Sequence, residues 1–101
     1  MSTTHNNLRP QIEAPVKRDQ AEVQVQMILT FRNQQLSRAL ARRNGCRDDG
    51  ERMMAQMDVD TCAAHLRTAI ESCRVLKVRQ GFLAWQPSVN IQQLLEKVGR
   101  A

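Results

Sequence analysis

Between Val59 and Cys73, the apolar residues Val59, Cys62, Ala63, Leu66, Ala69, Ile70 and Cys73 recur at three- and four-residue spacing. An α-helix turns 100° per residue, so this spacing collects all seven side chains on one face. A strand would need strict alternation. The segment from about Val59 to Val75, or somewhat further, is therefore expected to be a helix with one face buried. The alanines at positions 63 and 69 would let a second helix approach closely.

A second helical segment is expected from about Asp19 to Arg43. Asp19 with Glu22 suits an N-terminal capping box, and Asn44-Gly45 supplies the stop. Ala21, Val25, Ile28, Leu29, Leu36, Ala39 and Leu40 share one stripe. Val23, Met27 and Phe31 form a shorter ridge almost opposite. A lone surface helix has no use for two apolar sides, so either the rest of the chain wraps over the ridge or another chain covers it.

Between these helices, NGCRDDG reads as a polar hinge. Asp48 or Asp49 can cap a short helix bearing Met53, Met54 and Met57, and Asp58 or Asp60 suggests a break or kink before the next one. Near the C-terminus, VLKVRQGFLAWQP allows two readings. One is a hairpin turning at Arg79-Gln80-Gly81. The other, which is favoured, runs the helix to Arg79, ends it at Gly81 and leaves Phe82–Trp85 extended. A last short helix carries Ile91, Leu94, Leu95 and Val98, capped by Ser88 or Asn90, with Gly99 as its stop. The expected fold is all-α: a small bundle of three to four helices with a long first helix and a short extended segment near residues 82–86. Residues 1–18 are polar, contain two prolines and read as a loosely held tail, which leaves residues 19–101 as a single helical domain.

About 80 residues make a small core, and burying a face against a second copy or a partner would add stability. The net charge is +5 and the pI about 9.9, with arginine well ahead of lysine. Such a balance favours anionic partners, whether nucleic acid or acidic protein surfaces. No apolar run approaches the ~20 residues of a membrane span, and the N-terminus lacks a secretory signal. Three cysteines without an export signal point to reduced thiols in a cytoplasm.

The stretch DTCAAHLRTAIESC places Cys62, His65 and Cys73 close in sequence. On a helix Cys62 and Cys73 point the same way but lie ~16 Å apart along the axis. A zinc ion holds its ligands at ~2.0–2.3 Å, so one ion cannot touch both. The same gap forbids a disulfide between them. The simpler reading makes both cysteines small hydrophobes of the packed stripe; neither a metal nor another cofactor is expected. There is no glycine-rich phosphate loop, paired-carboxylate motif or nucleophile elbow, so the chain is not expected to be an enzyme. ERMMAQMDVDTCAAHLRTAIE has the outline of a helix-turn-helix, but Asp58 stands where glycine is usual. The second helix would offer Asp60, Thr61 and Ala64 to the bases. Arg38, Arg42, Arg43, Arg47 and Arg52 cluster around the hinge, which keeps a basic nucleic-acid-binding regulator as the alternative function.

The remaining apolar groups point to a surface that grips another protein. Trp85 and Phe82 are the expected partner anchors, with Met54 and Met57 next and Arg79 at the rim. Self-association is assigned to Val59, Leu66, Ile70 and Cys73, or to the Met27–Phe31 ridge. In length, polar N-terminal tail, the long helix DQAEVQVQMILTFRNQQLSRALARR and the segment MDVDTCAAHLRTAIESCRVLKV followed by FLAWQP, the chain resembles the QslA-type quorum-sensing anti-activators of pseudomonads. The resemblance implies a helical homodimer that binds a LuxR-type transcription factor such as LasR, blocking that factor's dimerisation and its DNA binding.

Overall fold

The computed structural model describes the backbone of residues 2–99 and the side-chain surroundings of residues 20–99. It contains three α-helices, α1 (Ser2–Gly45), α2 (Asp49–Arg79) and α3 (Val89–Glu96), and no strand among the described residues. The all-α bundle with a long first helix is as expected. The backbone is helical through Asp19, where the capping box was expected, and Glu22 reaches across to Lys77 at 3.2 Å. The expectation of a loose tail over residues 1–18 falls on side chains outside those described.

α1 and α2 pack antiparallel. The bridging contacts show the direction: Glu22 meets Lys77, Arg32 lies 3.3 Å from His65, and Arg42 meets Asp58 at 2.7 Å, so positions rise along α1 as they fall along α2. Leu29, Leu36, Ala39 and Leu40 of α1 interlock with Val59, Ala63, Leu66, Ala69, Ile70 and Cys73 of α2. Leu36, Val59, Leu66 and Cys73 are fully buried, and the alanines between them allow the backbones to close in. This is the stripe that three-and-four spacing marks out, except that Ile28 of the α1 stripe stays 51% exposed.

α2 differs from the expectation at its middle. It runs unbroken through Asp58, with Asp48 at its N-cap accepting a hydrogen bond from the Glu51 amide at 3.1 Å. An aspartate caps only where the chain leaves the helix. Here Ala55 and Val59 are both buried, and breaking the helix between them would sacrifice that packing. Without a turn at Asp58 there is no helix-turn-helix.

The C-terminal end of α2 follows the favoured reading. Gly81 adopts φ of 98°, its amide bonds to the Val78 carbonyl at 2.9 Å, and the Phe82 amide bonds to the Lys77 carbonyl at 2.8 Å. This is a Schellman closure, which needs a residue free of a Cβ penalty at positive φ. Phe82–Trp85 then forms a turn at Leu83-Ala84 and irregular chain, where an extended segment was expected. Ser88 caps α3 through the Ile91 amide. The chain returns along the bundle, and Trp85, Ile91, Leu94, Leu95 and Val98 pack against the α1–α2 core.

Arg43 fastens this return. Its side chain is 3% exposed and donates to the carbonyls of Val98 at 2.7 Å and Lys97 at 3.1 Å, and to Gln56 Oε1 at 2.8 Å. Gln56 Nε2 also donates to the Val98 carbonyl at 3.0 Å. A guanidinium carries its charge at low solvation only when its donors are this well matched. Expected from the sequence as one of a solvated basic cluster, Arg43 is instead an internal clamp. Replacing it with methionine is expected to cost about 2 kcal/mol in urea unfolding, the scale of buried charge-assisted hydrogen bonds. Arg42→Ala, which removes an exposed ion pair, is expected to cost less than about 1 kcal/mol in the same measurement.

Candidate protein interface

The core uses one side of α1, and the opposite side remains apolar. Val23, Met27 and Phe31 are exposed, Met27 by 64%, so the rest of the described chain does not wrap over the ridge. With Glu22, Gln26, Thr30 and Gln34 they line a shallow groove of about 600 Å³. The Arg32 guanidinium lies 5.4 Å from the centre of the Phe31 ring. At the N-terminal end of this groove Glu22 holds Lys77, and the Lys77 ammonium lies 5.3 Å from the centre of the Phe82 ring. Two cation–ring and ion-pair contacts thus bring the connector after α2 to the end of the α1 ridge. Phe82 is exposed, and Leu83 beside it is 82% exposed. Solvent-facing aromatic and aliphatic side chains at this density mark an interaction surface more often than a bare monomer surface.

Of the expected partner anchors, Phe82, Arg79, Met54 and Met57 are exposed, but Trp85 is half-buried against the core and serves the fold. Its indole fills the space between the returning chain and the α1–α2 seam. Met54 and Met57 lie on the outward side of α2, away from the α1 ridge's side of the bundle. The expected self-association set divides in the same way. Val59, Leu66, Ile70 and Cys73 are all within the protomer core, so they have no surface to offer a second copy. Their regular spacing correctly marks burial, but the covering element is α1 of the same chain. Met27 and Phe31 are free of the core.

One surface feature was missed. Val75 and Val78 are both exposed and lie on the outward face of α2 with Met57; their phase relative to Leu66 would have placed them there.

The cysteines behave as members of the packed stripe. Cys73 is buried and Cys62 half-buried, and burial pushes both thiols above the ordinary value of 9.0. Asp58 adds to the rise at Cys62 while Arg42 and Arg32 oppose it; at Cys73 Lys77 pulls down and Glu22 pushes up. Cys46 sits by the hinge with its thiol 3.2 Å from the Arg42 carbonyl. Among the described residues no three His, Cys, Asp or Glu side chains converge as metal ligands would. The basic cluster is partly committed within the chain: Arg43 is buried, Arg42 pairs with Asp58, and Arg52 donates to the Cys46 carbonyl at 2.9 Å. Among the described residues no helix is long and apolar enough to cross a membrane.

No protein-family model, no curated protein and no solved structure matches this chain.

The raised thiols have a consequence for stability. The folded chain holds those protons to higher pH than the unfolded chain does, so their contribution is complete below pH 9 and is lost as pH rises through the folded values. Urea midpoints are expected to fall as pH rises above 9, and a Cys62→Ala/Cys73→Val variant is expected to show a shallower fall. An identical slope in the two proteins would refute this.

Proposed function

We propose that the chain is a small helical protein-binding inhibitor. It acts as an anti-activator that lays the outer face of α1 on the dimerisation surface of a LuxR-type, LasR-like quorum-sensing transcription factor and so keeps that factor off DNA. The partner follows from the resemblance. The surface follows from one observation: the Val23–Met27–Phe31 ridge is apolar, continuous and turned away from the core.

The ridge spans ~12 Å of helix. Phe82 and Leu83 lengthen it, because the Glu22–Lys77–Phe82 relay sets the connector at its end. A standard interface covers ~800 Å² on each partner, with a few aromatic or apolar anchors contributing about 2 kcal/mol or more each. Phe31 and Phe82 are the aromatic anchors of this surface, and Met27 between them adapts to an irregular partner. Glu22, Gln26 and Gln34 supply a polar rim. The mechanism is competition: a regulator whose dimer surface is covered cannot assemble the paired reading heads that two DNA half-sites require.

The test is fluorescence anisotropy of a labelled operator with a purified LuxR-type regulator in the presence of its autoinducer. Addition of this chain in slight excess is expected to lower the regulator's apparent DNA affinity at least tenfold and to shift it from dimer to mixed complex in light scattering. Phe31→Asp, with unchanged helicity, is expected to weaken the inhibition about 30-fold, the equivalent of one lost anchor. Inhibition that survives this substitution would remove α1 from the interface. Direct, steeply salt-dependent binding of the chain itself to random duplex DNA, with no effect on the regulator, would instead support the nucleic-acid alternative.

A further inference from the structure

The solvent side of α2 carries a second continuous stripe that no other element of the described chain covers. Met54, Met57, Thr61, Ala64, Thr68, Glu71, Val75 and Val78 alternate steps of three and four over ~36 Å of helix, and all eight are exposed. Steps of three and four in this order are the seam pattern of paired helices. The stripe is bulky and apolar at both ends and small at Thr61, Ala64 and Thr68 in the middle; its one charge, Glu71, is paired with Arg74 of the same helix. Its two threonines are already satisfied: Thr61 and Thr68 donate their hydroxyls to the Met57 and Ala64 carbonyls at 3.0 and 3.1 Å. They present methyl groups outward, so covering them leaves no orphan donor.

We infer that this face of α2 is a self-association seam, occupied by α2 of a second copy of the chain running antiparallel about a two-fold axis near position 66. That axis sets Met54 against Val78 of the second copy, Met57 against its Val75, Thr61 against its Glu71 and Ala64 against its Thr68. The small central pair lets the helices approach to the ~8 Å end of the usual range. Charge selects the direction. The flank of the N-terminal half carries Asp60, and those of the C-terminal half carry Arg67 and Arg79, while Asp58 and Arg74 are already paired with Arg42 and Glu71. Antiparallel pairing sets acid beside base, whereas a parallel pair in register would place like beside like and Glu71 directly on Glu71. In the antiparallel pair the two Glu71 carboxylates stand ~15 Å apart along the axis. The α1 ridges then lie on the two outer sides of the dimer, so self-association and partner binding use different faces. The inference does not depend on what the α1 ridge binds.

The test uses the chain alone, in a Cys46→Ser/Cys62→Ala background that removes the accessible thiols. In size-exclusion chromatography with light scattering, the protein is expected at twice the 11.5 kDa chain mass at tens of micromolar. Ala64→Arg, at an exposed position, is expected to give the monomer mass with unchanged helicity. Under mild oxidation Met57→Cys/Val75→Cys is expected to form a disulfide-linked dimer, because these positions face each other across the axis. Met57→Cys alone is not, since the two copies of position 57 are ~27 Å apart. A monomeric parent, crosslinking by Met57→Cys alone, or a dimer that survives Ala64→Arg but is lost in Met27→Asp would each overturn the assignment.

Discussion

Everything in this molecule depends on the antiparallel seam between α1 and α2. Leu36 and Leu66 at its centre are completely shielded from solvent, and Val59, Cys73 and four alanines of the two helices close the space around them. The alanines let the helices come close, and closeness lets so few large side chains exclude water. Leu→Ala substitutions at such sites typically cost 2–5 kcal/mol, a large share of what a chain this size has in total. The remaining elements are tied to that seam. α3 lies on it through Trp85, Ile91, Leu94, Leu95 and Val98, and Arg43 holds the last carbonyls of the returning chain.

A two-helix seam uses only one side of each helix, and the short third helix covers only part of what remains. The uncovered sides of α1 and α2 point in opposite directions, and both are apolar where an ordinary solvated helix would be charged. Val23, Met27 and Phe31 have no role in folding that the structure displays, and neither do Met54, Met57, Val75 and Val78. Retaining such groups on the surface carries an aggregation risk. Their arrangement in stripes at helical spacing fits orderly contacts with other helices. This is the physical basis for the proposal that the chain grips another protein.

Much of this was legible in the residues. The buried stripe of α2, the second ridge of α1, the Gly81 closure and the Ser88 cap all follow from local chemistry, because each depends on spacing or on a backbone conformation that few residue types allow. Other features depend on where distant segments meet, which spacing does not encode. Asp58 looks like a cap, yet the helix continues because Ala55 and Val59, on either side of it in sequence, are both buried. Arg43 looks like its neighbours Arg42 and Arg38; only the arrival of Lys97 and Val98 makes it an internal clamp. Val59, Leu66, Ile70 and Cys73 announce burial without naming the covering partner, and the same ambiguity made Trp85 look like an interface anchor.

The central claim is that the outer ridge of α1 stands apart from the folded core. The most direct measurement is urea unfolding of the isolated chain carrying Phe31→Asp or Met27→Asp, set beside Leu36→Ala under the same conditions. The two aspartate variants are expected to stay within about 0.5 kcal/mol of the parent, as exposed substitutions do, while Leu36→Ala loses about 2–5 kcal/mol. Aspartate variants that unfold the chain as severely as Leu36→Ala would contradict the account, because the ridge would then be part of the core.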